Sequence, residues 1–241
     1  MTGYARSVAP QKISLKKRVE RRGRLQELLK RTDLEAALEK VIRLPPRQVI
    51  NPLFSFLQSG DAALKWPAVR IFGAVVARLA EEDLEGARVI MRRLMWSLND
   101  ESGGIGWGSP EAMGEILSRH SRLAEEYVSI LLSYAKEDGN YLENEGLQRG
   151  LLWGIGRVAE AHPLLVRDAA PSLMVYLASP DASVRGLAAR LMGLLHVSAS
   201  CPRLRQLTRD EDQIAPDFQY ELGKHDVKDL AEEALARVPC L

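Results

Sequence analysis

The sequence predicts an all-α protein built as a solenoid of helical hairpins, and three observations point there. Four stretches align over 13 residues without a gap: Asp61–Gly73, Ser102–Gly114, Asn144–Gly156 and Asp181–Gly193. Each opens on a residue suited to capping a helix, places an apolar residue three positions on (Leu64, Ile105, Leu147, Val184), and closes with a bulky apolar residue before glycine. Successive capping positions lie 41, 42 and 37 residues apart. That is room for two helices and two short connections, and a period of this size marks stacked supersecondary units.

The first 48 residues hold 13 Lys and Arg against 5 Asp and Glu, a surplus of +8, so the remainder carries −7 within a net +1. The excess gathers in Lys16, Lys17, Arg18, Arg21, Arg22 and Arg24, beside Gly23. Two readings stand. One is an arm for nucleic acid or another anionic surface. The other is a solvated, partly frayed first helix docked through Leu25, Leu28 and Leu29, which is favoured because no aromatic residue is interleaved to stack on bases.

From Asp33, a capping residue, Leu34, Ala37, Leu38, Val41 and Ile42 share one helical face, an atypical opening repeat. Pro45 and Pro46 stop that helix, and the next, starting near Arg47, carries Ile50, Leu53, Phe54 and Leu57 inward. In the first full copy, positions 64, 68, 72, 75 and 76 have the three-and-four spacing of an amphipathic helix. Glycine costs a helix interior about 1 kcal/mol relative to alanine, so Gly73, Gly114, Gly156 and Gly193 at one register predict close helix contact. Trp66 and Trp107 share a register, and stacking between repeats accounts for Trp66; Trp96 and Trp153 read as core residues within helices.

The second and third copies depart from this plan. Asn99 to Pro110 contains four glycines and a proline, so the helix should restart with Ser109 as cap and Pro110 at its first position, leaving a loop around Trp107. The third copy follows a long connection from Lys136 to Glu145. Corresponding turns of adjacent repeats emerge on one edge of a solenoid, so the two loops should be neighbours. At the far end, Val227, Leu230, Ala231, Ala234 and Leu235 form a closing helix behind Asp226. Between His196 and Asp226 the pattern breaks, and either an extended excursion or an ordered loop fits.

The run Asp-x-x-Val-Arg-x-x-Ala-x-x-x-Met-Gly at Asp181–Gly193 resembles HEAT-like repeats of the phycobilisome-lyase type. Asp61, Leu64, Lys65, Ala68, Phe72 and Gly73 follow it, whereas Gly106 and Gln148 stand where that family prefers arginine. The resemblance covers residues 33–200, and the whole chain is similar to a group of uncharacterised bacterial HEAT-repeat proteins. It implies a right-handed α-solenoid of about four clear repeats plus atypical terminal caps, usually a partner-binding scaffold, although similar proteins include lyase subunits and DNA glycosylases. One domain over 1–241 is expected, with a basic segment over 1–32, repeats over 33–200, and a C-terminal excursion and capping helix over 201–241.

The predicted loop edge is acidic and aromatic. No basic residue lies between Arg93 and Arg119. Asn99, Asp100, Glu101, Trp107, Glu111, Asp138, Tyr141, Glu143, Glu145 and Arg149 are therefore the candidate partner-binding residues, with Trp107 and Tyr141 as anchors. Arg149 is a candidate pair for Glu111 or Glu145. The partner this edge and the adjoining inner surface suit is a protein or peptide carrying basic residues. The alternative is a HEAT-like DNA glycosylase or other nucleic-acid-binding protein, for which Trp96, Asp100, Trp107, Arg149 and Trp153 supply residue types without a recognised spacing. An acidic middle fits phosphate poorly.

Other chemistry is excluded by spacing. His120, His162, His196 and His225 lie in separate repeats without metal-ligand spacing, and the Gly103-Gly104-x-Gly106 run lacks the strand and lysine of a nucleotide loop. No metal and no cofactor is expected. Cys201 and Cys240 lie too far apart in sequence to suggest a metal knuckle or redox pair and are expected as two buried or inert thiols. There is no apolar run near 18 residues and no secretory signal in Met1–Gln11, so membrane insertion is not expected and a cytoplasmic protein is. The oligomeric state is left open.

Overall fold

Short polar residues open several of the helices. In the computed structural model, which describes residues 15–30, 33–99, 106–223 and 225–240, the Asp33 side chain accepts from the Ala36 amide at 3.0 Å and Asp61 from Ala63 at 3.0 Å. Asn144 accepts from Leu147 at 3.2 Å and Asp181 from Val184 at 2.9 Å. Each such cap contributes about 1 kcal/mol by satisfying an amide the helix itself cannot.

The helices are α1 (Leu15–Leu29), α2 (Leu34–Ile42), α3 (Pro46–Leu57), α4 (Ala62–Glu82), α5 (Leu84–Leu98), α6 (Ser109–Arg119), α7 (Ser121–Ser133) and α8 (Glu145–Ala161). They continue as α9 (Pro163–Val166), α10 (Ala170–Met174), α11 (Ala182–Leu194), α12 (Cys201–Leu207), α13 (Pro216–Leu222) and α14 (Val227–Arg237). The fourth hairpin's first arm is broken into α9, α10 and short 3₁₀ turns, with Pro163 and Pro171 each at the start of a segment. Among the described residues the only extended pairing is an isolated bridge between Gln213 and Asp226. The fold is an all-α helical-repeat solenoid.

The second helices stack in one layer: α4 on α6, α6 on α8, α8 on α11 and α11 on α14. One continuous buried core runs from Leu25 to Val238, as expected for units that cannot bury their apolar stripes alone. Close approach is built from glycine at three of the four register positions. A Cβ on Gly73 would strike the Glu115 side chain, one on Gly114 would fall on the Cα of Gly154, and one on Gly193 would lie 2.7 Å from Ala234 Cα. Gly156 differs, its nearest neighbour being an Arg190 nitrogen at 3.4 Å. In the third copy the tight seam has moved one half-turn back, to Gly154.

Several expectations change. Helix α6 starts one residue earlier than expected, with Ser109 inside it and Gly108, at φ 77°, as its cap. Ser109 Oγ instead meets Ser97 Oγ at 2.8 Å. Trp96, read as core, is 77% exposed on α5, because its position faces away from the seam that Ile90, Met91 and Leu94 bury. Leu25 and Leu29 are buried as the docked-helix reading requires. The side chains of Lys16, Lys17 and Arg18 lie outside the described residues.

Cys201 and Cys240 are bonded to each other, with Cα atoms 5.9 Å apart, the separation a disulfide needs. Linear spacing hid this because α14 returns the chain antiparallel to its start. The tail is held beside the beginning of α12, where Ser198 Oγ donates to the Pro239 carbonyl at 3.1 Å. The stretch from 197 to 225 is neither extended nor loop throughout, since it contains α12 and α13.

Candidate functional site

Trp107, from the first elaborated connection, reaches the start of the helix that follows the second. The Trp107 ring lies over Gly146 in the first turn of α8, so close that a Cβ there would sit 2.6 Å from the ring. Tyr141 accepts from Gln148 Nε2 at 3.0 Å, and the same amide donates to the Leu142 carbonyl at 2.9 Å. Residues 146 and 148 point about 200° apart around a helix. The two aromatics therefore clasp the start of α8 from opposite sides rather than forming one patch. Both rings remain accessible, at 40% for Trp107 and 37% for Tyr141.

Asn99, Asp138, Glu143 and Glu145 are exposed at this end of the repeats. Asp100 and Glu101 lie outside the described residues. Glu111 is buried, and it points inward to the Lys65 ammonium at 2.8 Å. Arg149 reaches neither Glu111 nor Glu145. Its guanidinium grips Asp181, with Nε at 3.0 and 3.1 Å from the two carboxylate oxygens. Asp181 is also the cap of α11, so this pair joins the third and fourth hairpins. Hydrogen bonding to Asp181 raises the Arg149 pKa above its ordinary value.

The inner surface named with the loop edge as partner-binding is in part already covered, because the chain's own α13 packs on its α4 section. Arg185 begins the crossing: it is nearly buried, bonds the carbonyls of Ser179 and Pro180, and pairs with Asp210 and Asp212, each at 2.8 Å. Ala215 donates to Ser183 Oγ at 2.7 Å. The segment then runs back to α4. There Trp66 Nε1 donates to the Asp217 carbonyl at 2.6 Å, Lys65 reaches the Asp217 carboxylate at 3.3 Å, and Arg70 pairs with Glu221. Phe218 is buried edge-on to Trp66, with centroids 5.2 Å apart.

Beneath α13 lies a charged lattice. Glu115, with no exposed side-chain surface, is shared by Arg70 at 3.1 Å, Arg119 at 2.7 Å and Arg157 at 2.9 Å. Glu160 continues the lattice to Arg157 and Arg190. Burial lowers the Lys65 pKa, and Glu111 with Asp217 outweighs it, leaving the lysine raised. For Glu221, burial drives the pKa up and Arg70 only partly reverses it. Trp66 and Trp153 meet across α6 with ring centroids 4.8 Å apart, which leaves no slot between them for a base.

The sequence reading missed Asp217, Phe218 and Glu221 as partners of α4. A signal was present: nine residues after each capping position stand Arg70, Glu111, Trp153 and Arg190, charged or aromatic groups on a helix face that an ordinary repeat would leave bland. Among the described residues, no group of three or more His, Cys, Asp or Glu side chains is placed to hold a metal ion. No helix there is long and apolar enough to cross a membrane.

No protein-family model matches the chain. An Archaeoglobus fulgidus protein, itself uncharacterized, is 33% identical over 126 residues, taking in 51% of this chain and 58% of that protein. The chain thus matches little more than half the length of this relative. An engineered protein of known structure superposes with a TM-score of 0.57 at 15% identity, over 95% of each chain. A computationally designed armadillo repeat protein for modular peptide recognition gives 0.49 at 15% identity, over 89% of this chain and 98% of that one. The first likeness, at such identity, concerns the fold alone.

Proposed function

We propose that the chain is a non-catalytic scaffold that binds a protein or peptide carrying basic residues through the edge of its second and third hairpins. We read the repeats as HEAT-like, of the phycobilisome-lyase type, on the pattern at Asp181–Gly193 that Asp61–Gly73 follows. The observation that carries the functional reading is Trp107, exposed yet seated on Gly146, one residue from Glu145. An indole held in place loses little freedom on binding, and aromatic anchors commonly dominate interface energetics. Exposed Asp138, Glu143 and Glu145 add the field that would steer a cationic partner.

The test uses a labelled octapeptide of alternating lysine and arginine, titrated with the protein in fluorescence anisotropy. Binding should weaken steadily as salt rises from 50 to 300 mM, a range of about 14 to 6 Å in screening length. Trp107→Ala with Tyr141→Ala should weaken it by about tenfold or more, with helical content unchanged. Equal affinity of this variant and the parent chain would reject the edge as the site.

A further inference from the structure

On the inner face, Lys65, Arg70, Arg119, Arg157 and Arg190 meet, among the described residues, three carboxylates from the repeats themselves, those of Glu111, Glu115 and Glu160. Asp217 and Glu221 of α13 supply the two that make the count even. Phe218 supplies the apolar part, packing against Trp66 with the Lys65 ammonium 5.3 Å from its ring centroid. A receptor surface of fixed charge and shape is thus already filled, by seven residues belonging to the same chain.

Space remains beside the C-terminal end of α13, on the side of α2. A cavity of about 180 Å³ opens beside α13 among Lys30, Ala63, Pro67 and Tyr220, and another of about 270 Å³ among Leu38, Ile71 and Arg119. Leu34, Arg70 and Glu221 line both. Tyr220 is exposed at the mouth. At its C-terminal end α13 is released through Gly223, at φ 90°, a conformation in which glycine is at ease and other residues are strained.

We propose that the inner face is a docking site for an acidic segment of a partner protein that carries an aromatic residue, and that α13 is the resident competitor for it. The partner's chemistry is that of Asp217-Phe218-x-x-Glu221: a carboxylate for Lys65, an aromatic ring for Trp66, and a second carboxylate one helical turn further for Arg70. The two adjoining cavities at the Glu221 end would give such a segment more contact than α13 makes. This site is independent of the loop edge, and its preference for charge is the opposite one.

The probe is a fluorescein-labelled synthetic copy of residues 213–223, titrated against three proteins: the unaltered chain, Phe218→Ala, and an opened chain in which residues 216–222 are replaced by alternating glycine and serine. The opened chain and Phe218→Ala should each bind the peptide at least tenfold more tightly than the unaltered chain. Arg70→Gln in the opened background should reduce that binding tenfold, and a peptide with Lys in place of both acidic residues should not bind. The proposal is overturned if the opened chain is folded and ignores the peptide, or if it binds both peptides alike. It is equally overturned if removing α13 melts the helices, which would make α13 core, or if opened chains pair with one another instead of taking up peptide.

Discussion

The indole of Trp66 donates its hydrogen to the carbonyl of Asp217, 151 residues further along the chain, at 2.6 Å. A solenoid normally joins only neighbouring repeats, so this bond ties the first full hairpin to the last turn before the closing helix. Trp66→Phe keeps the ring and removes the donor. Losing one such bond costs about 1 kcal/mol, or about fivefold in the local opening equilibrium. Hydrogen exchange should show the amides of 217–222 exchanging faster by that factor, while those of α8 stay as they are.

The glycine register separates two kinds of small residue. At Gly114 a methyl group would fall on the Cα of Gly154, with only backbone to displace. Overpacking of this kind costs about 1–3 kcal/mol, so Gly114→Ala should shift the urea midpoint downward accordingly. Gly156 has ordinary contact distances around it, and there alanine reduces the freedom of the unfolded chain. Gly156→Ala should raise stability by about 0.4–1 kcal/mol. Opposite signs at one sequence register would confirm that α6 and α8 meet at Gly154.

The Cys201–Cys240 bond closes a loop of 39 residues. On the chain-entropy model, such a cross-link contributes about 4 kcal/mol by restricting the unfolded state. Cys240→Ser should lose about 2–4 kcal/mol of unfolding free energy. A reducing agent should lower the unaltered chain by the same amount and leave the variant unmoved.

Glu221 gives the pH dependence a sign. Burial, opposed only in part by Arg70, raises its pKa in the folded chain, so the folded state holds its proton more tightly than the unfolded state does. Stability from this group is therefore complete below the unfolded value of 4.5 and is lost as pH rises through the raised one. Glu221→Gln mimics the protonated form. Its stability relative to the unaltered chain should be greatest at pH 7 and should shrink as pH falls toward 4.5, measured by urea unfolding at both ends.

The repeats were legible because their physics is local. Caps at Asp33, Asp61, Asn144, Asp181 and Asp226 and the spacing of Leu64, Ala68 and Phe72 each act within a few residues. The neighbouring positions of the Trp107 and Tyr141 connections followed from periodicity alone. What stayed hidden depends on contacts between distant segments. The inward turn of Glu111, the Arg149–Asp181 pair, the outward face of Trp96 and the Cys201–Cys240 bond are set by which helices meet. The return of α13 to α4 is the largest of these, because no local signal tells a seven-residue helix which repeat it will visit.

Because α13 remains covalently attached at both ends, it is never diluted when it lifts away. Its effective concentration at the inner face is of millimolar order for short flexible connections. A free competitor present at micromolar levels would need to bind about a thousandfold more tightly than α13 does to take half the sites. Such an arrangement ignores casual encounters with acidic peptides and responds only to a molecule that gains from the space beside α13 as well.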